Sequence, residues 1–150
     1  MSYASSIAQI NSGAESLEIL RSTIAEMEID SIWDGPAKAK QKSNLDALLT
    51  ALSTQISNCN TLTSAMALID QYDSADKSAK LYADTMNNLS KDANNYENTY
   101  NYYRNQYNSA VSTRDSLKKE IDSTLAGITA TYSETVNKYT ITWKDGDGNV

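Results

Sequence analysis

The sequence predicts an all-α protein: an antiparallel helical hairpin with a Trp-x-Gly turn, a further long helix, and a short β-like C-terminal tail. Three observations carry this expectation. Five glycines and one proline are spread over 150 residues, of which 40% are apolar, a composition that suits long helices better than a turn-rich β-protein. Apolar residues recur at spacings of three and four over three long stretches, the period that keeps side chains on one helical face. The lone proline, Pro36, follows Gly35 in the gap between the first two stretches.

The first helix is predicted over Tyr3 to Ile32. Ile10, Leu17 and Ile24 lie seven apart, with Leu20 and Met27 three residues behind the last two, and Ile7 and Ala14 broaden the apolar side. Glu15, Glu18, Arg21, Glu26 and Glu28 make the opposite face a solvated one. Gly13 weakens the early turns by roughly 1 kcal/mol relative to alanine, which predicts fraying or close packing there.

The second helix is predicted from Pro36 to about Tyr72. Leu45, Leu52, Cys59 and Met66 are spaced seven apart, Leu48, Leu62 and Ile69 fill the adjoining row, and Leu49 and Ile56 widen it. Proline disfavours helical geometry in the residue before it and lacks the N–H that a continuing helix needs, yet it is preorganised as a first helical residue. Asp34-Gly35-Pro36 is therefore a stop and a restart, with Asp34 or Gly35 available as the cap. So short a connection makes the two helices antiparallel neighbours, with Trp33 at the closed end of the hairpin.

A third repeat runs through Leu81, Met86, Leu89, Ala93, Tyr96, Tyr100, Tyr103, Tyr107, Ala110, Leu117, Ile121 and Ile128, with Arg114 in one inward slot. Its middle, NNYENTYNYYRNQYN, is rich in mediocre helix formers, and a break is expected near residues 94–101. The tyrosines at 96, 100, 103 and 107 share a face and are expected to pack in a core or against a partner. The closing YTITWKDGDGNV alternates apolar residues with threonine ahead of Asp-Gly, the mark of a strand entering a tight turn. A lone strand cannot bury itself, so this tail is expected to pair elsewhere or to open a following domain. The predicted divisions are a hairpin over 1–76, a helical extension over 77–139, and the tail over 140–150.

Several functions are disfavoured by composition. The net charge is −6 and the 13 basic residues are scattered, so clustered cations for a phosphate backbone are missing and nucleic-acid binding is not expected. There is no histidine, and Cys59 is the only cysteine, which leaves no thiolate metal set, no metal site and no cofactor expectation. The stretch DGDGN, at 145–149, has Val150 where a calcium loop places glycine. No serine has a histidine to activate it and no glycine-rich loop follows a strand, so no catalytic residue is expected and the chain reads as a non-enzyme. The N-terminal residues carry neither a basic, apolar signal-peptide pattern nor an apolar run of membrane length; membrane insertion is not expected.

The candidate site residues are Trp33, Gly35, Tyr72 and Asp76. Trp33 and Gly35 form a Trp-x-Gly turn between two amphipathic stretches. Tyr72 and Asp76 are a tyrosine with an acid four residues on, which share one helical face. Ten tyrosines and 19 acids in 150 residues would give about 1.3 such pairs by chance, so the value of this pair rests on its place after the second apolar stretch.

Helix, Trp-x-Gly turn, helix, with an acidic balance and no signal peptide, resembles the WXG family of early-secretory-antigen-like helical hairpins of type VII secretion. In that family a tyrosine followed by an acid at the fourth position, near the end of the second helix, contributes to recognition by the secretion machinery, and Tyr72 and Asp76 match it. The resemblance covers residues 1–76, and the added length is similar to relatives in which such a hairpin opens a secreted effector. It implies a non-enzymatic export-targeting or interaction module in a Gram-positive bacterium, cytoplasmic before export, then secreted without a signal peptide or held at the cell surface. The implied partners are the chain itself or a related hairpin, completing a four-helix bundle, and the secretion ATPase. The alternatives are a structural coiled-coil segment of a phage tail or surface protein, or a cytoplasmic chaperone of a secreted toxin.

Overall fold

The computed structural model describes residues 2–27 and 35–142, and their side chains through Ile128. The described residues form an all-α protein of three helices: α1 (Ala4–Ala25), α2 (Pro36–Asn87) and α3 (Tyr96–Thr142). The chain divides into two compact units. One comprises Met1–Ala4 and Ser64–Thr124, and the other Ser5–Thr63 and Leu125–Val150.

The start of α1 is capped from two directions. Ser2 Oγ accepts the Ala4 N–H at 3.2 Å, and both carboxylate oxygens of Asp70, on α2, accept the Tyr3 N–H at 3.0 and 3.1 Å. These amides have no partner within the helix, so the side chains satisfy donors that would otherwise need water. The inward row of α1 is Ile7, Ile10, Ala14, Leu17, Arg21 and Ile24, in strict alternation of three and four, with Ala14 and Ile24 buried. Leu20 and Met27, expected inward, lie off this row and are exposed. α1 ends at Ala25, where Met27 N–H turns back to the Ile24 carbonyl in a tightened last turn; the rest of the predicted helix, 28–32, lies outside the described residues. Around Gly13 an added Cβ would meet nothing within 4 Å, so this glycine serves neither close packing nor a break.

Gly35 has φ of +90° and its carbonyl accepts the Ala39 N–H at 3.3 Å. It is the cap, and Pro36 is the first helical residue, as expected. The end of α2 differs from the prediction. No glycine or proline stands between 37 and 126, and Asp73–Asn87 is rich in Ala, Lys, Leu and Met, so α2 runs on past Tyr72 for 52 residues in all. The division expected at residue 76 therefore falls inside α2.

α2 ends where Asn87, Asn88, Ser90, Asp92, Asn94 and Asn95 crowd together, side chains that compete with the helix for backbone partners. Residues 88–95 form short turns, Ala93 N–H bonding Ser90 O and Tyr96 N–H bonding Ala93 O. The break thus lies at 88–95 and not at 94–101, and residues 81–87 belong to α2. Within the first unit α2 and α3 are antiparallel: Asp76 meets Arg114, and the later Tyr82 meets the earlier Tyr103. Ala65 and Ala79 are the buried residues here, and as small side chains they let helices approach closely.

From Tyr96 on the predicted row holds, Tyr96, Tyr100, Tyr103, Tyr107, Ala110, Arg114, Leu117 and Ile121 all being half-buried, while Ala93, placed on the same row, is exposed in the turn before α3. Leu81, placed inward by the sequence pattern, is 62% exposed on α2. α3 passes Gly127 without a break. Tyr139–Thr142, expected to begin a strand, continue the helix, which bonds its own backbone where an unpartnered strand could not. The rest of the predicted tail, from Trp143 on, lies outside the described residues.

Candidate functional site

Of the four candidate residues, Trp33 lies outside the described residues and Gly35 heads α2 with its exposed backbone in a left-handed conformation. A φ of +90° strains any residue bearing a Cβ, so glycine is required there by conformation and not by space, which is open. Tyr72 and Asp76 lie one turn apart in the interior of α2, in the other compact unit.

Their surroundings follow from the antiparallel register. With Asp76 facing Arg114, stepping four residues back along α2 and four forward along α3 brings Tyr72 level with Lys118. Asp76 Oδ2 is 2.6 Å from Lys80 Nζ and Asp76 Oδ1 is 3.3 Å from Arg114 Nη1; the carboxylate is 22% exposed. Arg114 also reaches Asp115 at 3.0 Å, and Lys118 reaches Asp122 at 2.7 Å. The result is a ladder of alternating charge along one stretch of the α2–α3 pair.

The electrostatics agree. The hydrogen bond from Lys80, aided by Arg114, holds the Asp76 carboxyl below its ordinary value. Bonding to Asp76 raises Lys80, bonding to Asp115 and Asp76 raises Arg114, and bonding to Asp122 raises Lys118. Chemically this arrangement pins two helices in register; its carboxylates are neutralised by neighbours, and no set of three or more metal-ligating side chains occurs among the described residues.

Sequence reasoning found Arg114 as an oddity in an apolar row but gave it no partner. A guanidinium in such a slot is itself a signal, because a half-buried charge calls for an opposite one across the seam. The Asp70 cap on Tyr3 had no such signal. Tyr102, set aside by the stripe of four tyrosines, is 59% exposed and meets Tyr103 edge-on, with ring centroids 5.3 Å apart. Cys59, on the apolar row of α2, is a half-buried free thiol.

Among the described residues no helix is long and apolar enough to cross a membrane. No family model matches the chain, and no curated protein or solved structure matches it significantly.

Proposed function

We propose that this chain is a non-enzymatic interaction module exported by type VII secretion in a Gram-positive bacterium, as a substrate or as the targeting part of a secreted effector. The observation that carries the reading is Gly35: a left-handed glycine two residues after Trp33, directly ahead of Pro36 at the head of α2. That is the backbone a Trp-x-Gly turn between two helices needs. The hairpin reading of α1 and α2 is further supported by the Tyr3–Asp70 hydrogen bonds, which hold the chain's first residues against α2 at a point 34 residues beyond Pro36.

A second hairpin, from another copy or a relative, is the partner proposed for the apolar surface left over. In the unit that contains most of α1, Ile19 is 69% exposed, and Leu20 and Leu48 are exposed as well. No large side chain is fully buried among the described residues, so completing a bundle offers more burial than the lone chain achieves. Recognition by the secretion ATPase at Tyr72 and Asp76 requires competition with Arg114, because Asp76 is already engaged across the seam.

A structural coiled-coil role is favoured by one observation, the uninterrupted 52 and 47 residues of α2 and α3. Blotting the culture medium of the native host with and without its secretion ATPase separates the two. Export predicts the protein outside only when the ATPase is present; protein found outside in both strains, or in neither, sinks the reading. Trp33→Ala is expected to keep the helical far-UV signal while lowering export, and collapse of the helical signal would make Trp33 a core residue only.

A further inference from the structure

The stretch 94–108 contains six asparagines, one glutamine and five tyrosines. Most of it forms the opening turns of α3, where alanine, lysine or glutamate would hold an exposed helix better. Asn94 and Asn95 belong to the turn before α3; three of the other amides, Asn98, Asn105 and Gln106, stand around Tyr102.

On a helix the surface neighbours of residue 102 are 98, 99, 105 and 106. Here these are Asn98, Thr99, Asn105 and Gln106, two of them exposed and two half-buried. Tyr102 stands 59% exposed at the centre, braced edge-on at 75° by Tyr103, which itself leans on Tyr82 of α2 at 6.2 Å. Because α2 and α3 are antiparallel, stepping back one residue from Tyr82 and one from Tyr103 rotates both positions to the same side of the pair. Leu81, 62% exposed, therefore flanks Tyr102 on that face.

We propose that this face binds a neutral polysaccharide, with Tyr102 stacking on the C–H side of a sugar ring. The inference goes beyond the export reading and stands without it. An amide side chain offers two donors and an acceptor, and a sugar hydroxyl is also both donor and acceptor, so amides ringing an exposed ring can all be paired by a glycan. A dry protein interface would leave such amides buried and unpaired, which is penalised. The charged residues of the stretch, Glu97 and Arg104, cancel, so an anionic polymer finds no cation patch to neutralise it. Tyr102 is already held upright by Tyr103, which lowers the ordering needed on binding.

Native electrophoresis of the purified full chain through gels containing laminarin, dextran or mannan tests the proposal, with hyaluronate as the anionic comparison. At least one neutral polysaccharide should retard the protein and hyaluronate should not. Tyr102→Ala should weaken that binding by about tenfold, the scale of one lost aromatic contact. Tyr102→Trp should keep it, and Asn98→Ala with Asn105→Ala should reduce it. Unchanged far-UV circular dichroism in Tyr102→Ala, expected for so exposed a ring, keeps the comparison valid. No retardation by any of the three neutral polymers, equal retardation by hyaluronate, or retardation untouched by Tyr102→Ala overturns the proposal. So does self-association that Tyr102→Ala abolishes, which would make the patch a contact between copies.

Discussion

The two helix junctions are made by different chemistry. The one that leads into α2 is marked by Gly35 and Pro36, residues whose backbones are special in themselves. The one at 88–95 contains neither glycine nor proline, and the chain turns where asparagine, serine and aspartate accumulate. A backbone breaker acts on the residue where it stands, so its position can be read to within one or two residues. Competing polar side chains act collectively and weakly, and where the helix ends then depends on how far packing carries it. The first junction is fixed locally, while the second is fixed by the pairing of α2 with α3.

The sharpest way to break this comparison is to place a breaker where the sequence pattern stops and the helix does not. Ser74 is exposed in α2, beyond the expected end at Tyr72. Ser74→Pro removes a helical hydrogen bond and clashes with the preceding turn, so it should destabilise the protein by about 3 kcal/mol, against a small change for Ser74→Ala. Urea denaturation of the two variants measures it. Equal stability would mean that α2 ends near Tyr72 after all.

Next in size is Gly35→Ala. Forcing a Cβ into φ of +90° should cost about 1 to 3 kcal/mol, read as a lower denaturation midpoint with an unchanged slope. The same substitution at Gly13 should have the opposite sign. There the backbone is helical and the added methyl meets open space, so Gly13→Ala should stabilise by about 0.5 to 1 kcal/mol. Matching signs at the two positions would dissolve the distinction between a junction glycine and a helix-interior one.

Much of the fold was legible because it is periodic. The inward row of α3 was read residue by residue, since eight positions at alternating three and four leave little freedom of phase. Leu20, Met27 and Leu81 were misplaced because each lies one position off a row whose phase is set by the helix it faces. The end of α2 was misread because the apolar rows that predicted it stop at Ile69, while no breaker near there stops the helix. At the candidate site, Gly35 was legible from the proline behind it. The partner of Arg114 was not, because which carboxylate stands opposite depends on the α2–α3 register, and the Asp70 cap on Tyr3 joins residues 67 apart. Tyr102 was hidden by its very exposure, since a search for shared faces ranks residues by the row they join.

The smallest effect expected concerns acid. Asp76 is held ionised by Lys80 and Arg114, and its carboxyl titrates below the ordinary value of 3.8. A carboxyl depressed on folding contributes stability that is fully present above its unfolded value and is lost as pH falls through its folded one. The α2–α3 ladder should therefore be unaffected from neutrality down to about pH 5 and weaken below about pH 4. Asp76→Asn, which keeps the shape and removes the titration, should flatten the acid limb of the unfolding midpoint plotted against pH while leaving Arg114 with Asp115 as its partner. Because these side chains lie near the surface, the change should be modest and should shrink further in high salt. An acid limb identical in the wild type and Asp76→Asn would show that the Asp76 contact with Arg114 does not hold α2 and α3 in register.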